Sequence, residues 1–342
     1  MLSPNRREFL KNSMALTLAP TAEGGLFAHG GRAEAEPEAQ REEFFKGFKT
    51  QQIKTSSAVI KTVYGGNNNG SPVLLLHGIP ETHVLWRKVA PALAHDYFVV
   101  MTDLRGYGDS SKPPGGGDHF AYSKRAMAQD QVEVMKHLGF EKFALVGHDR
   151  GGRVAHRLAL DHPEALTKLV ILDIVPTYLL YQHITQDFAT VFYHWFLLVQ
   201  PAPFPETLVQ NSAEYFLKCT LLWLGGSKLT DPLPDWISPA VFREYLRTFR
   251  QPDTIHAICE DYRAAASIDL EHDKADLGKK IQCPLLVLWS EKGPFHRMYN
   301  VLQTWQDHAT VQAQGKVMPT GHFLPEQMPE ELTQDIRTFL RA

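Results

Sequence analysis

A mostly parallel β-sheet, covered by helices on both faces and interrupted by an inserted helical cap, is the α/β architecture that the sequence predicts. Three observations lead there. Between residues 73 and 172, short apolar runs alternate with segments of helical period, the pattern of a parallel sheet buried on both faces. Residues 176–266 then hold no buried strand, only aromatic-rich helical segments broken by prolines at 201, 203, 205, 232, 234 and 239. Strand-like runs resume at Pro284, and the chain closes on a helix. The expected organisation is residues 1–40 as a leader, 41–175 and 267–342 as the sheet domain, and 176–266 as the cap.

The leader comes first. Asn5-Arg6-Arg7-Glu8-Phe9-Leu10-Lys11 resembles a twin-arginine export signal. A short apolar stretch and a small-residue region ending Ala33-Glu34-Ala35 follow, which fits a cleavage site. Export to the periplasm is the expectation, with a cytoplasmic location as the alternative. Alternating Ile53, Val59, Ile60 and Val63 predict an opening hairpin over 50–64. Residues 73–78 read as a buried strand running into Ile79-Pro80, 86–93 as a helix, and 98–101 as the next strand. The turn over 103–110 is read as structural. Residues 123–138 are helical by period and end at Gly139.

The stretch on which the chemistry turns is Gly147-His148-Asp149-Arg150-Gly151-Gly152-Arg153. An apolar strand (143–146) precedes it and an amphipathic helix (154–160) follows. This is the frame of a G-x-S-x-G nucleophile elbow with aspartate in the serine position. The glycines are expected to supply tight backbone approach and unusual φ values. An ionised carboxylate is already a nucleophile, so it suits attack on an sp3 carbon that bears a leaving group. The bland alternative is that Asp149 merely caps the helix.

Two further strand ends carry candidate partners. Residues 169–172 form an apolar strand ending at Asp173, and Gly321-His322-Phe323 follows the last expected strand, over 311–318. Nucleophile, acid, histidine is the chain order of this kind of site. Asp149, Asp173 and His322 can then meet at one sheet edge, with Glu291, after the 284–289 strand, as the second candidate for the acid. A helix over 329–340 ends the chain.

Composition bounds the rest. The chain has 342 residues, 44% hydrophobic and 21% charged, with a net charge of −3. Those values are ordinary for a soluble enzyme and give no reason to expect nucleic acid or an anionic membrane as partner. Nothing in the sequence is long and apolar enough to cross a bilayer. Three cysteines, at 219, 259 and 283, are too few for a disulfide framework. No His/Cys/Asp/Glu group has metal-ligand spacing, so neither metal nor cofactor is expected.

From about residue 43 to the end, the chain resembles the haloacetate dehalogenases of the α/β-hydrolase fold, nearest the fluoroacetate dehalogenases. The matching stretches are the 147–153 elbow, Leu172-Asp173-Ile174-Val175-Pro176-Thr177, Tyr193-His194-Trp195, the 200–203 turn, Cys259-Glu260-Asp261-Tyr262-Arg263, the 271–274 segment and the 321–326 loop. The resemblance implies that Arg150 and Arg153 clamp a substrate carboxylate, as guanidinium forks do. Read from charge alone, those arginines could instead pair with Glu141 or Asp161. It also implies that His194, Trp195 and Tyr262 hydrogen-bond the departing halide. Without it, 193–196 reads as an aromatic cap face packed on the sheet. The His77-Gly78-Ile79-Pro80 turn resembles its α/β-hydrolase counterpart, so the backbone N–H groups of Ile79 and Arg150 are expected to form an oxyanion hole.

The implied reaction has two steps: Asp149 displaces halide from a small haloacid, and His322, supported by Asp173, drives water onto the resulting ester. A homodimer is what the family suggests. Two other functions stay open. An epoxide hydrolase would need two cap tyrosines, and Tyr178, Tyr181, Tyr193, Tyr215, Tyr245 and Tyr262 supply candidates. A non-catalytic carboxylate-binding protein on the same fold would have no use for His322.

Overall fold

Buried aliphatic runs generate an eight-stranded sheet in the computed structural model, which describes residues 44–342. The export-signal reading falls on residues 1–40, outside the described residues. The strands are β1 (Lys49–Lys54), β2 (Val59–Gly66), β3 (Pro72–Leu76), β4 (Phe98–Thr102), β5 (Phe143–His148), β6 (Leu166–Leu172), β7 (Leu285–Ser290) and β8 (Gln314–Met318). Their spatial order is β1-β2-β4-β3-β5-β6-β7-β8. The β1–β2 hairpin and the β2–β4 pair are antiparallel, and every other pair is parallel. Residues 73–76 and 145–146 are fully buried, as strands covered on both faces must be.

The chain leaves β3 toward β4 on one side and returns to β5 on the other. The reversal creates a switch point at the carboxyl ends of β3 and β5, where parallel sheets open a crevice for ligands. Both Ile79 and Asp149 follow those two strand ends.

Helices α1 (Ala90–Leu93), α2 (Lys124–His137) and α3 (Arg150–Asp161) lie between strands of the sheet. Ser123 caps α2, its side chain accepting from the Ala126 N–H. The expected helix over 86–93 is instead a 3-10 turn, His83–Lys88, followed by the single turn α1. Thr82 caps the first piece, and Pro91 lies in the first turn of the second, where its missing N–H costs nothing.

The strand-free region is helical as expected: α4 (Thr177–Gln182), α5 (Gln186–Val191), α6 (Tyr193–Leu198), α7 (Phe204–Gln210), α8 (Ala213–Leu224), α9 (Pro239–Phe249) and α10 (Pro252–Ala265). Helices continue past 266 with α11 (Ile268–Ala275), so the return to the sheet comes only at β7. The set is completed by α12 (Pro294–Met298), α13 (Val301–Gln306), α14 (Leu324–Gln327) and α15 (Pro329–Arg341). Strand β8 begins at Gln314, not at 311. The cap helices and the sheet belong to one compact unit. Among the described residues, no helix is long and apolar enough to cross a membrane.

Candidate active site

The elbow forms as its sequence requires, though by a different division of labour than expected. The strained backbone belongs to Asp149 itself, at φ 46°, ψ −114°. None of Gly147, Gly151 and Gly152 has a positive φ. Those glycines act by contact: a Cβ on Gly151 would collide with the His77 carbonyl, and one on Gly147 with the backbone of Gly151 and Gly152. Gly78 is bare for the same reason, because a Cβ there would strike the Asp149 side chain. A non-glycine residue with such a φ costs about 1–3 kcal/mol and persists only where its surroundings impose it.

Asp149 does not cap the helix it precedes; its side chain makes no bond to the first turn of α3, which begins at Arg150 and not at 154. Instead its Oδ2 accepts a hydrogen bond of 3.0 Å from the Ile79 N–H, while Oδ1 lies 3.9 Å from His322 Nε2. One carboxylate oxygen is thus held and the other is left to react. The Arg150 N–H, first in α3, has no carbonyl partner within the helix by position.

His322 meets its acid on the other ring nitrogen. Its Nδ1 lies 2.6 Å from Asp173 Oδ2, and Asp173 Oδ1 accepts from the Ser290 N–H (2.8 Å) and hydroxyl (2.9 Å). Glu291, the second candidate acid, instead donates its backbone N–H to Met318, and its carboxylate has no bond to His322. Asp173 also has a positive φ, 49°.

Beside the triad stand the arginines. Arg150 is fully buried and pairs with neither Glu141 nor Asp161. Its Nε and Nη2 donate to Asp261 Oδ2 (2.8 Å) and Oδ1 (2.7 Å), and Nη2 also reaches the Asp261 carbonyl (3.0 Å). Only Nη1 lacks a partner. Asp161 is occupied by Arg125 and Arg157. Arg153 differs: Nη1 donates to the Val175 carbonyl (3.1 Å) and Thr177 hydroxyl (2.9 Å), while Nε and Nη2 have no protein partner. Burial pulls the Arg153 guanidinium down to about 10, and neighbouring Arg150 adds to that; it remains charged at neutral pH.

The cap supplies His194 and Trp195 from α6 and Tyr262 from α10. The Tyr262 ring lies 5.9 Å from His194 and 5.7 Å from Trp195. Burial lowers His194 to about 4 and holds the Tyr262 phenol well above its ordinary value, so both are neutral N–H or O–H donors at neutral pH. The Arg150 guanidinium sits 4.3 Å from the Tyr262 ring centre, and Arg153 sits 4.7 Å from that of Trp195.

All these groups surround a narrow cavity that has room for about one water. Asp149, Arg153, His194, Trp195 and His322 form its polar wall; Arg150 and Tyr262 stand behind that wall. Burial pushes the Asp149 carboxyl up, but the charges of His322, Arg153, Arg150 and His148 outweigh it, so its pKa falls below the usual range.

Two pairings escaped the sequence reading. Asp261 binds Arg150, the Tyr107 hydroxyl (2.6 Å) and Lys124, and these cations hold its carboxyl below the ordinary range against the effect of burial. The signal was only an acid beside Tyr262. His148, directly before the nucleophile, lies 3.2 Å from Glu81 and 2.8 Å from the His322 carbonyl. Burial pushes His148 down, yet Glu81 lifts it to about 9. Both ring nitrogens then donate, and the ring supports the His322 loop. Asp261→Asn is expected to cost roughly 3–5 kcal/mol of stability, since it strands two buried cations. An unfolding free energy from urea titration within about 1 kcal/mol of wild type would contradict that.

The chain belongs to the α/β-hydrolase family: a family profile described as alpha/beta hydrolase fold matches residues 71–329. Among its relatives is a fluoroacetate dehalogenase of Burkholderia sp, 42% identical over 86% of this chain and 95% of the other. A soluble epoxide hydrolase of Corynebacterium sp. (strain C12) is 32% identical over 77% of this chain and 87% of the other. A crystal structure from Nostoc sp PCC 7120, described as an α/β hydrolase, is 54% identical with TM-score 0.82, covering 86% of this chain and 98% of that one.

Proposed function

We propose that the protein is a haloacetate dehalogenase, converting a small 2-haloacid such as fluoroacetate or chloroacetate into glycolate and halide. The observation that carries this reading is Arg153, a buried cation on the cavity wall with two guanidinium nitrogens, Nε and Nη2, that have no protein acceptor. A buried guanidinium left half-paired is costly, and an anionic substrate removes that cost. A carboxylate bound by Arg153, with the free Nη1 of Arg150 behind it, brings the adjacent carbon of the substrate to Asp149. The 42% identity to a fluoroacetate dehalogenase agrees with this substrate class.

The chemistry follows from the geometry. The free oxygen of Asp149 attacks the α-carbon from the side opposite the halogen, and the halide leaves with the bonding electrons. His194, Trp195 and Tyr262 donate hydrogen bonds to it as its charge grows. The oxygen held by the Ile79 N–H becomes the ester carbonyl oxygen. His322 Nε2 then takes a proton from water as that water adds to the ester carbon, with Asp173 steadying the imidazolium. The N–H groups of Ile79 and Arg150 stabilise the tetrahedral oxyanion, and its collapse frees glycolate and restores Asp149.

Halide release from chloroacetate and fluoroacetate by the purified protein tests the proposal; no release from either would end it. The donors carry a sharper expectation. Fluoride leaves carbon least readily, so it depends most on stabilisation in the transition state. Tyr262→Phe and Trp195→Phe should each cost about 10²–10³ in kcat/KM on fluoroacetate, and distinctly less on chloroacetate. Equal losses on both substrates would mean that these residues only shape the pocket.

One set of observations favours epoxide opening as a second reading. Tyr181 and Tyr262 flank Trp195, each 5.7 Å away ring to ring, the Tyr181 hydroxyl has no partner, and an epoxide hydrolase is 32% identical. An epoxide brings no anion for Arg153, which is why the dehalogenase reading is preferred. Diol formation from a styrene-type epoxide at a rate above that of chloroacetate would reverse the preference.

A further inference from the structure

The apolar wall of the cavity is made by Ile79, Phe192, Leu224, Pro294 and Phe295. Four of these have duties besides filling space. Ile79 presents its N–H to Asp149. Phe192 from the cap and Phe295 from α12 stack on each other, with ring centres 5.1 Å apart and planes 28° from parallel, so truncating either loosens the cap. Pro294 shapes the backbone that opens α12. Leu224 is left, the last residue of α8.

The backbone of Leu224 is held independently of its side chain. Its carbonyl accepts from the His322 N–H at 2.9 Å. The next carbonyl, of Gly225, accepts from Gln327 Nε2 at 3.0 Å. Gly321 packs so tightly against Gly225 that a Cβ there would collide with the same carbonyl. The end of α8 is thus fastened to the loop bearing the catalytic histidine. A side chain cut back at 224 should leave free space, because such a wall cannot collapse inward to fill it.

From this geometry we propose that Leu224 is the specificity-determining residue for the α-carbon substituent. It excludes 2-haloacids with a side chain and restricts the enzyme to haloacetates. The inference rests on the dehalogenase reading and names the part of the site that sets substrate size. A 2-halopropionate offers Asp149 the same kind of carbon, but its added methyl group has to be seated against the apolar wall, where Leu224 is the side chain with no other duty. Once that room exists the steps are unchanged. The Asp149 oxygen bonds to the α-carbon, chloride departs with its electron pair, and water then adds at the ester carbonyl. The α-carbon–oxygen bond formed first is kept, so lactate appears with inverted configuration.

The test compares kcat/KM for chloroacetate and for each enantiomer of 2-chloropropionate in wild type, Leu224→Ala, Leu224→Val and Leu224→Met. One methylene in a close-fitting apolar site is worth about 10–200-fold in discrimination. Wild type should favour chloroacetate by at least that range. Leu224→Ala should narrow the preference by tenfold or more, Leu224→Val should narrow it less, and Leu224→Met should keep it. Thermal melting accompanies each variant; if Leu224→Ala does not fold, the smaller cut in Leu224→Val decides. A folded truncation variant with an unchanged preference overturns the proposal, as does a wild type that accepts both substrates equally. A wild type that releases chloride from neither substrate overturns the dehalogenase reading itself, and is recognised by that result before any variant is compared.

Discussion

Asp149→Asn is expected to lower haloacetate turnover by about 10⁴–10⁶-fold, the range seen when a nucleophile is removed from a preorganised site. The amide has no charged oxygen to attack carbon, yet it fills the same space. It can also still accept the Ile79 N–H bond that Oδ2 accepts at 3.0 Å. The fold should therefore survive, and thermal melting should move little. Any change should be a modest loss, because the positive groups that hold the Asp149 carboxyl below its ordinary range lose the charge they pair with. The assay is halide release, paired with intact mass to detect deamidation back to aspartate. Activity within about tenfold of wild type, with the asparagine mass unchanged, would remove Asp149 from the mechanism.

His322→Asn separates the two halves of the reaction and should have a comparable effect on steady-state rate. The first half needs only Asp149, which keeps its Ile79 donor and both arginines in this variant. One equivalent of halide per active site should therefore appear in a burst, followed by almost none. Intact mass should rise by one glycolyl group, and peptide mapping should locate it on Asp149. The second half fails because nothing withdraws a proton from the attacking water; His322 Nε2 stands 3.9 Å from Asp149 Oδ1, on the side of the carboxylate where the ester forms. A variant that turns over repeatedly, or one that releases halide without gaining mass, would contradict the assignment.

Much of this site was legible in the chain because its parts are local. Glycines pressed against neighbouring backbone, an acid at the end of an apolar run and a histidine after the last strand each leave a mark within a few residues. So Asp149, Asp173 and His322 could be named, and the structure brings them within hydrogen-bonding or near-contact range. Pairings across long separations leave no such mark. Arg150 meets Asp261 from 111 residues away, and His148 meets Glu81 from 67. Each was one of many plausible charges, and charge alone could offer only Glu141 or Asp161 as alternative partners for want of a third dimension. The strain was also assigned to the wrong residues. Sequence suggests glycine wherever φ is unusual, whereas here the glycines give clearance and the aspartate takes the distortion. The break at Pro91 shows the same limit on a smaller scale, since apolar period alone cannot distinguish one helix from two short turns.

The interleaving of cap and core around the arginines has a consequence for timing. Trp195 and Tyr262 come from the cap, Arg150 and Arg153 from the helix behind the nucleophile, and the cations rest 4.7 and 4.3 Å from the aromatic faces. Apart from Pro294 every wall of the cavity is buried, so that wall has to part before a substrate can enter. A parting that drew the rings off the guanidinium groups would let water dilute the field that keeps Asp149 charged. An open form would then be a docile one, its carboxylate solvated and indifferent to passing electrophiles. In a site of this build reactivity would be assembled at each closure on the right guest, not held ready between visits.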